Sequence, residues 1–121
     1  MWKKLVLGAL GLGVIGVSLV FYVLYREVKT VCGVAVRKFE GDCVEALQKQ
    51  AVSEEMSFKE RNQAIWTLGQ LADKRALPIL YRLKKDGPMR EREPLDETIS
   101  QYEIVKAIRW CENGNWVSWM Y

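Results

Sequence analysis

From Leu5 through Tyr25 the chain carries no charged side chain, only apolar, glycine and aromatic positions broken by a single serine. At about 1.5 Å per residue the run reaches about 31 Å, the depth of a bilayer's hydrocarbon layer, and it predicts a membrane-spanning helix. A cleavable signal would have a shorter apolar stretch and small residues at the cut. Here Leu19 to Tyr25 stays large and aromatic up to Arg26, so a retained anchor is expected. Cys32 follows Lys29, Thr30 and Val31, without the leucine and small residue of a lipoprotein signal. Ala9 and Gly13 have the spacing that lets two such helices approach, which offers a homo-oligomer through the anchor.

Beyond Tyr25 the periodicity changes. Residues 26–38 are Val-rich and contain Gly33; they either continue the helix or form a short extended link. Gly41 followed by Asp42 reads as a stop and an N-cap. A helix is predicted over 42–52, with Cys43, Leu47 and Ala51 on one face and Val44 and Ala46 beside them. Ser53 to Met56 breaks the pattern, and Ser57 with Glu60 forms a capping box that opens a second helix. Its apolar face is Phe58, Ala64, Ile65, Leu68, Leu71 and Ala72.

Asp73 reads as the next N-cap, so the two helices must fold back antiparallel. The third helix is predicted from Lys74 to about Lys85, with Ala76, Leu77, Leu80 and Leu83 inward and Pro78 tolerated near its start. A charged connection, DGPMREREPLDE, precedes a fourth helix from about Asp96 to Glu112, whose predicted stripe is Ile99, Tyr102, Val105, Ile108 and Cys111. The closing WVSWMY is too aromatic for a solvated tail and is expected to fold back on the end of the bundle. The division expected is an anchor over 1–26, a linker over 27–41 and a helical domain over 42–121.

Glu60, Ala64 and Ile65 recur as Glu103, Ala107 and Ile108, an offset of 43 residues that also sets Cys111 against Leu68. Repetition of a helix pair at such a distance is the mark of a solenoid. The stretch ERNQAIWTLGQLADKRALPIL, Glu60 to Leu80, resembles the HEAT repeat in the bacterial variety first associated with phycobilisome lyases. In that pattern an Arg and an Ala precede Leu-Gly-x-Leu-Gly-Asp, and a basic residue and Ala-Leu-Pro follow. This chain departs from it with Ala72 for the second glycine and Lys74 where a proline often stands. The resemblance implies a short α-solenoid of about two HEAT-like hairpins, and with the apolar run before it the chain is expected to be all-α, an N-terminal transmembrane helix followed by that solenoid. It also implies a binding scaffold, with an accessory or lyase-like role handling a chromophore through a cysteine as the alternative.

Chemistry narrows the field further. The net charge of +3 falls close to neutral once Lys3 and Lys4 are set aside, which argues against nucleic acid as partner. With no histidine, the Ser-His and Cys-His nucleophile pairs are excluded. Cys32, Cys43 and Cys111 contain no CxxC pair, so neither a metal site nor any other cofactor is expected. Cys43 and Cys111 fall at the same end of a stack of hairpins, with Cys32 on the approach to it. They are therefore either small core residues or, in an oxidising compartment, members of a disulfide.

Trp66, Trp110, Trp116 and Trp119 are candidate partner-binding residues, either covering the edges of the bundle or forming an apolar patch for an unknown protein. Lys74, Arg75, Arg82, Lys84, Lys85, Arg90 and Arg92 form a basic segment, of which Arg75, Arg82 and Lys85 are the candidate contacts. Such a segment either meets an acidic partner or anionic head groups, or is simply a solvated face. No catalytic residue is expected, because Glu60 and Asp73 are already occupied as caps. The location expected is a bacterial inner membrane, crossed once, with the helical domain extracytoplasmic.

Overall fold

The computed structural model describes residues 1–88 and 92–121, so Arg90 and Glu91 of the charged connection lie outside the described residues. Among the described residues all regular structure is helical. The order is α1 (Trp2–Lys38), α2 (Cys43–Val52), α3 (Phe58–Leu71), α4 (Leu77–Leu83) and α5 (Gln101–Asn113), with 3-10 turns at Lys74–Ala76 and Ser118–Met120. The architecture is the all-α one that the periodicity predicts, a long apolar helix followed by stacked hairpins.

Between the two alternatives for residues 26–38, the structure takes the helix. α1 runs unbroken to Lys38, is exposed from Trp2 through Val20, and buries Val28 and Ala35 in its last third. Val31 and Cys32 pack on the core beside Ala35. The chain then reverses at Gly41, whose φ of 113° and whose 2.7 Å clearance between an added Cβ and Cβ of Glu45 leave room only for glycine. Cys32 lies against Cys43 at the start of α2, while Lys38 reaches Glu60 at the start of α3, 3.9 Å away. The last third of α1 therefore runs antiparallel to α3 and covers the open side of the first hairpin.

That hairpin is tied across its turn. Asp42 accepts the Glu45 amide at 3.0 Å, Ser57 and Glu60 make the reciprocal capping box, and Arg61 donates to the Ala51 carbonyl at 3.0 Å. α2 buries Val44, Ala46, Leu47 and Ala51 against Ala64, Ile65 and Leu68 of α3. The second hairpin begins more tightly than expected. Pro78 has no amide to return to the Lys74 carbonyl, so the first turn is 3-10 and α4 proper is only Leu77–Leu83, two residues short of the predicted end.

α5 also begins later than its apolar pattern suggests. Residues 96–99 lie outside the helix and Ser100 is the N-cap, accepting the Glu103 amide at 3.2 Å. The reason lies outside α5 itself. The buried Asn62 side chain donates to the carbonyls of Leu95 (3.1 Å) and Thr98 (3.0 Å) and accepts the Ser100 amide (2.8 Å), which holds that segment as a loop. The Glu93 carboxylate accepts the amides of Gln101 (2.7 Å) and Tyr102 (3.1 Å), closing the free helix end. The stripe shifts accordingly: Ile104, Ala107, Ile108 and Cys111 are buried, while Tyr102 is exposed. Of the residues related by the 43-residue offset, Leu68 and Cys111 meet directly, with Cys111 Sγ 3.6 Å from the Leu68 carbonyl.

Two positions of the Leu-Gly-x-Leu-Ala motif mark where α3 meets its neighbours. A Cβ on Gly69 would stand 3.0 Å from Cα of Ala107, so this glycine sets how closely α5 approaches. Ala72, just past the end of α3, has φ 50° in the left-handed region, where the related pattern has glycine. Ala72→Gly is expected to raise stability by about 0.5 to 1 kcal/mol. Gly69→Ala is expected to lower it by about 1 kcal/mol, because the clash with α5 outweighs the gain in helix propensity. Thermal unfolding by circular dichroism checks both signs.

Candidate interaction surface and cysteine centre

Cys32 and Cys43 are joined in a disulfide that closes a span of 11 residues, with their Cα atoms 5.2 Å apart. The bond clamps the last third of α1 to the first turn of α2, and in the chain-entropy account a loop of this size contributes about 3 kcal/mol. Cys111 is free and buried. Burial pushes its thiol up to about 11, with Asp73 and Glu112 adding to the shift, so it is protonated and a poor nucleophile at neutral pH. Among the described residues no three acidic or cysteine side chains converge on a position that could hold a metal ion.

Arg75 sits between two helix caps. Its guanidinium donates to Asp42 at 2.8 Å and to Asp73 at 3.0 Å, and so ties the start of α2 to the start of the second hairpin. Asp42 is held below the usual carboxylate range by the Glu45 amide and then by Arg75; for Asp73 the hydrogen bonds from the Arg75 side chain come first. Of the three basic candidates, Arg75 is thus engaged within the fold, while Arg82 and Lys85 are exposed. A cleft of about 330 Å³ lies beside Lys84, Lys85, Glu93 and Gln101, a mixed-charge lining.

The tryptophans separate into two groups. Trp66 is half-buried and, with Leu95, Gln63 and Lys59, lines a mostly apolar cleft of about 210 Å³ on the flank of α3 and α5. Beside it on α5, Lys106 lies over both the Tyr102 ring (5.1 Å) and the Trp110 ring (5.2 Å). Trp110 also borders, with Trp116, Trp119 and Arg109, a groove of about 740 Å³ at the C-terminal tail. Trp116 and Trp119 are 91% and 74% exposed. Asn115 pins this tail by donating to the carbonyls of Gly69 (2.8 Å) and Gln70 (3.1 Å), the last turn of α3.

The tail does fold back, but its rings reach α1: Trp119 lies 6.2 Å from Phe21, and Tyr121 stacks on Tyr25 at 6.4 Å. Sequence reasoning passed over Asn62, Glu93 and Asn115, the three side chains that close backbone ends in other elements. The Ser100 cap was signalled, because Ser57 and Glu60 recur as Ser100 and Glu103 at the same 43-residue offset.

Residues 60–86 match the PBS lyase HEAT-like repeat, which takes in nearly all of α3, the 3-10 turn and α4. The chain therefore carries a HEAT-like repeat. No curated protein and no solved structure matches it.

Two measurements probe this centre. Alkylation of the denatured, unreduced chain should label one thiol, Cys111, and after reduction all three cysteines; labelling of three without reductant would remove the disulfide from the picture. The carboxylates of Asp42 and Asp73 have folded-state pKa values below their unfolded ones, so the folded chain binds fewer protons in acid. Their contribution is complete above the usual carboxylate pKa of about 4 and is lost as pH falls through the lowered values. Denaturant midpoints should fall below pH 4 in the native chain and fall less in Arg75→Ala.

Proposed function

We propose that this chain is a single-pass membrane protein that displays a short HEAT-like module as a docking scaffold for another protein, without catalysis of its own. The observation that carries the reading is the continuity of α1, which passes without a break from the uncharged run Leu5–Tyr25 into packing against the repeat hairpins. A helix that serves as both span and structural cover presents the repeats at the membrane in a fixed pose. The membrane is assigned as a bacterial inner membrane from the variety of HEAT repeat. The domain is assigned to the extracytoplasmic side because a Cys32–Cys43 disulfide persists in an oxidising compartment.

The docking surface proposed is the flank of α3 and α5, where Trp66, Tyr102 and Trp110 lie along adjacent helices and Leu95, 51% exposed, edges the cleft beside Trp66. Half-buried tryptophan next to a small apolar cleft is the arrangement in which truncation most often costs binding energy. The near-neutral charge beyond the anchor favours a protein partner over nucleic acid. Chromophore handling through a cysteine finds little support, since Cys32 and Cys43 are bonded to each other and the Cys111 thiol is buried and protonated.

A photo-reactive residue at Gln63 or Tyr102 in the full-length chain, irradiated in native membranes, should give a discrete adduct with a second protein. Trp66→Ala should reduce that adduct at least fivefold without changing the amount of folded chain. Adducts only between identical copies would redirect the reading to self-assembly. Loss of an activity in a folded Cys111→Ala variant would replace the scaffold with an enzyme.

A further inference from the structure

We propose that the C-terminal segment Trp116–Tyr121 is a second membrane contact: Trp116 and Trp119 seat in the headgroup layer of the bilayer that α1 spans, so the helical domain rests directly on the lipid surface. The inference deepens the function proposed above and rests on its reading of α1 as a span.

Depth along α1 provides the argument. The uncharged run ends at Tyr25 and Arg26 is the first charge, so Phe21 lies about 6 Å inside that boundary. Trp119 packs beside Phe21, and Tyr121 stacks on Tyr25 at the boundary itself. The tail is thus held at the level where hydrocarbon gives way to headgroups, the zone in which tryptophan and tyrosine are enriched because one end of the ring system is apolar and the other polar. Trp116 and Trp119 are the most exposed aromatic rings outside α1, and in water both would leave large apolar area bare.

The Trp119 indole fits the same environment. The Trp119 indole N–H donates to the Trp116 carbonyl at 2.8 Å, so the ring needs no water at that depth. Asn115, through its bonds to the end of α3, joins the tail rigidly to the domain. Arg26, Lys29 and Arg109 supply cations at this end; Lys29 lies 5.5 Å from the Tyr25 ring, and Arg109 lines the groove between Trp110, Trp116 and Trp119. Phosphate oxygens of a headgroup would complement them. With α1 crossing the bilayer, the Cys32–Cys43 bond and the tail then make a three-point mount, and the Trp66 flank keeps one angle to the membrane.

Trp2 provides an internal control. It is exposed and lies about 30 Å along α1 from the Phe21 level, at the opposite interface. In the full chain, three versions each retaining a single tryptophan (Trp2, Trp66 or Trp119, the others Phe) are reconstituted in phosphatidylcholine vesicles carrying brominated acyl chains. Trp2 and Trp119 should each lose at least half their fluorescence, and Trp66 almost none. Quenching of Trp2 with Trp119 matching Trp66 would overturn the inference while leaving the span intact. Absence of quenching at Trp2 would overturn the span, and the inference with it. Should the multiple replacements unfold the chain, a nitroxide on Ser118→Cys in the otherwise native sequence reads the same depth. Collision with oxygen exceeding that with a nickel chelate supports the inference, and the reverse order refutes it.

Discussion

The packing of the last third of α1 against the first hairpin is the contact on which the rest of the molecule depends. A HEAT-like hairpin has an apolar face on each side, and a stack of two leaves the outer face of the first pair open to water. Longer solenoids cover that face with a further repeat. Here Val31, Cys32 and Ala35 cover it, from a helix whose earlier turns are uncharged and long and apolar enough to cross a membrane. Because that cover is part of one continuous helix, the packing of the domain and the placement of the apolar run relative to it are properties of one element. The disulfide at Cys32 and Cys43 fixes the register between rod and hairpin.

The same economy governs how helix ends are satisfied. An α-helix leaves amides at its start and carbonyls at its end without partners, and short helices have few turns over which to spread that cost. α2 and α3 are capped locally, by Asp42 and by the Ser57–Glu60 box. α5 and the end of α3 are closed from a distance: Glu93 accepts from the first amides of α5, Asn62 holds the loop before it, and Asn115 donates to Gly69 and Gln70. These long-range caps do more than satisfy hydrogen bonds. Asn62 ties the connection before α5 to α3, and Asn115 ties the aromatic tail to the repeat stack.

The cysteines are bonded or buried, and the large hydrophobic side chains left bare beyond α1 are mainly aromatic. The two tryptophan groups then divide the exposed surface by environment. Trp66 sits on a flank among lysine, glutamine and leucine, whereas Trp119, in the same tail as Trp116, sits beside Phe21 near the end of the uncharged run.

What the sequence by itself determined were the features that depend on near neighbours. The uncharged run fixes the long helix, Asp42, Ser57 and Asp73 fix three starts, and the three- and four-residue spacing in Glu60 to Leu80 fixes the hairpin that the HEAT-like pattern describes. The Ser100 and Glu103 spacing marked the start of α5 locally, but only the tertiary structure decided what holds the connection before it, because Asn62 and Glu93 act across loops and no local spacing reveals which amide a distant side chain will reach. The tertiary structure likewise chose Cys32 over Cys111 as the partner of Cys43, since that choice turns on how far α1 continues past the uncharged run, and nothing between Arg26 and Lys38 signals a stop. The tail followed the same logic: its aromatic composition demanded cover, but only the antiparallel course of α1 along α3 placed Phe21 and Tyr25 where that cover was available.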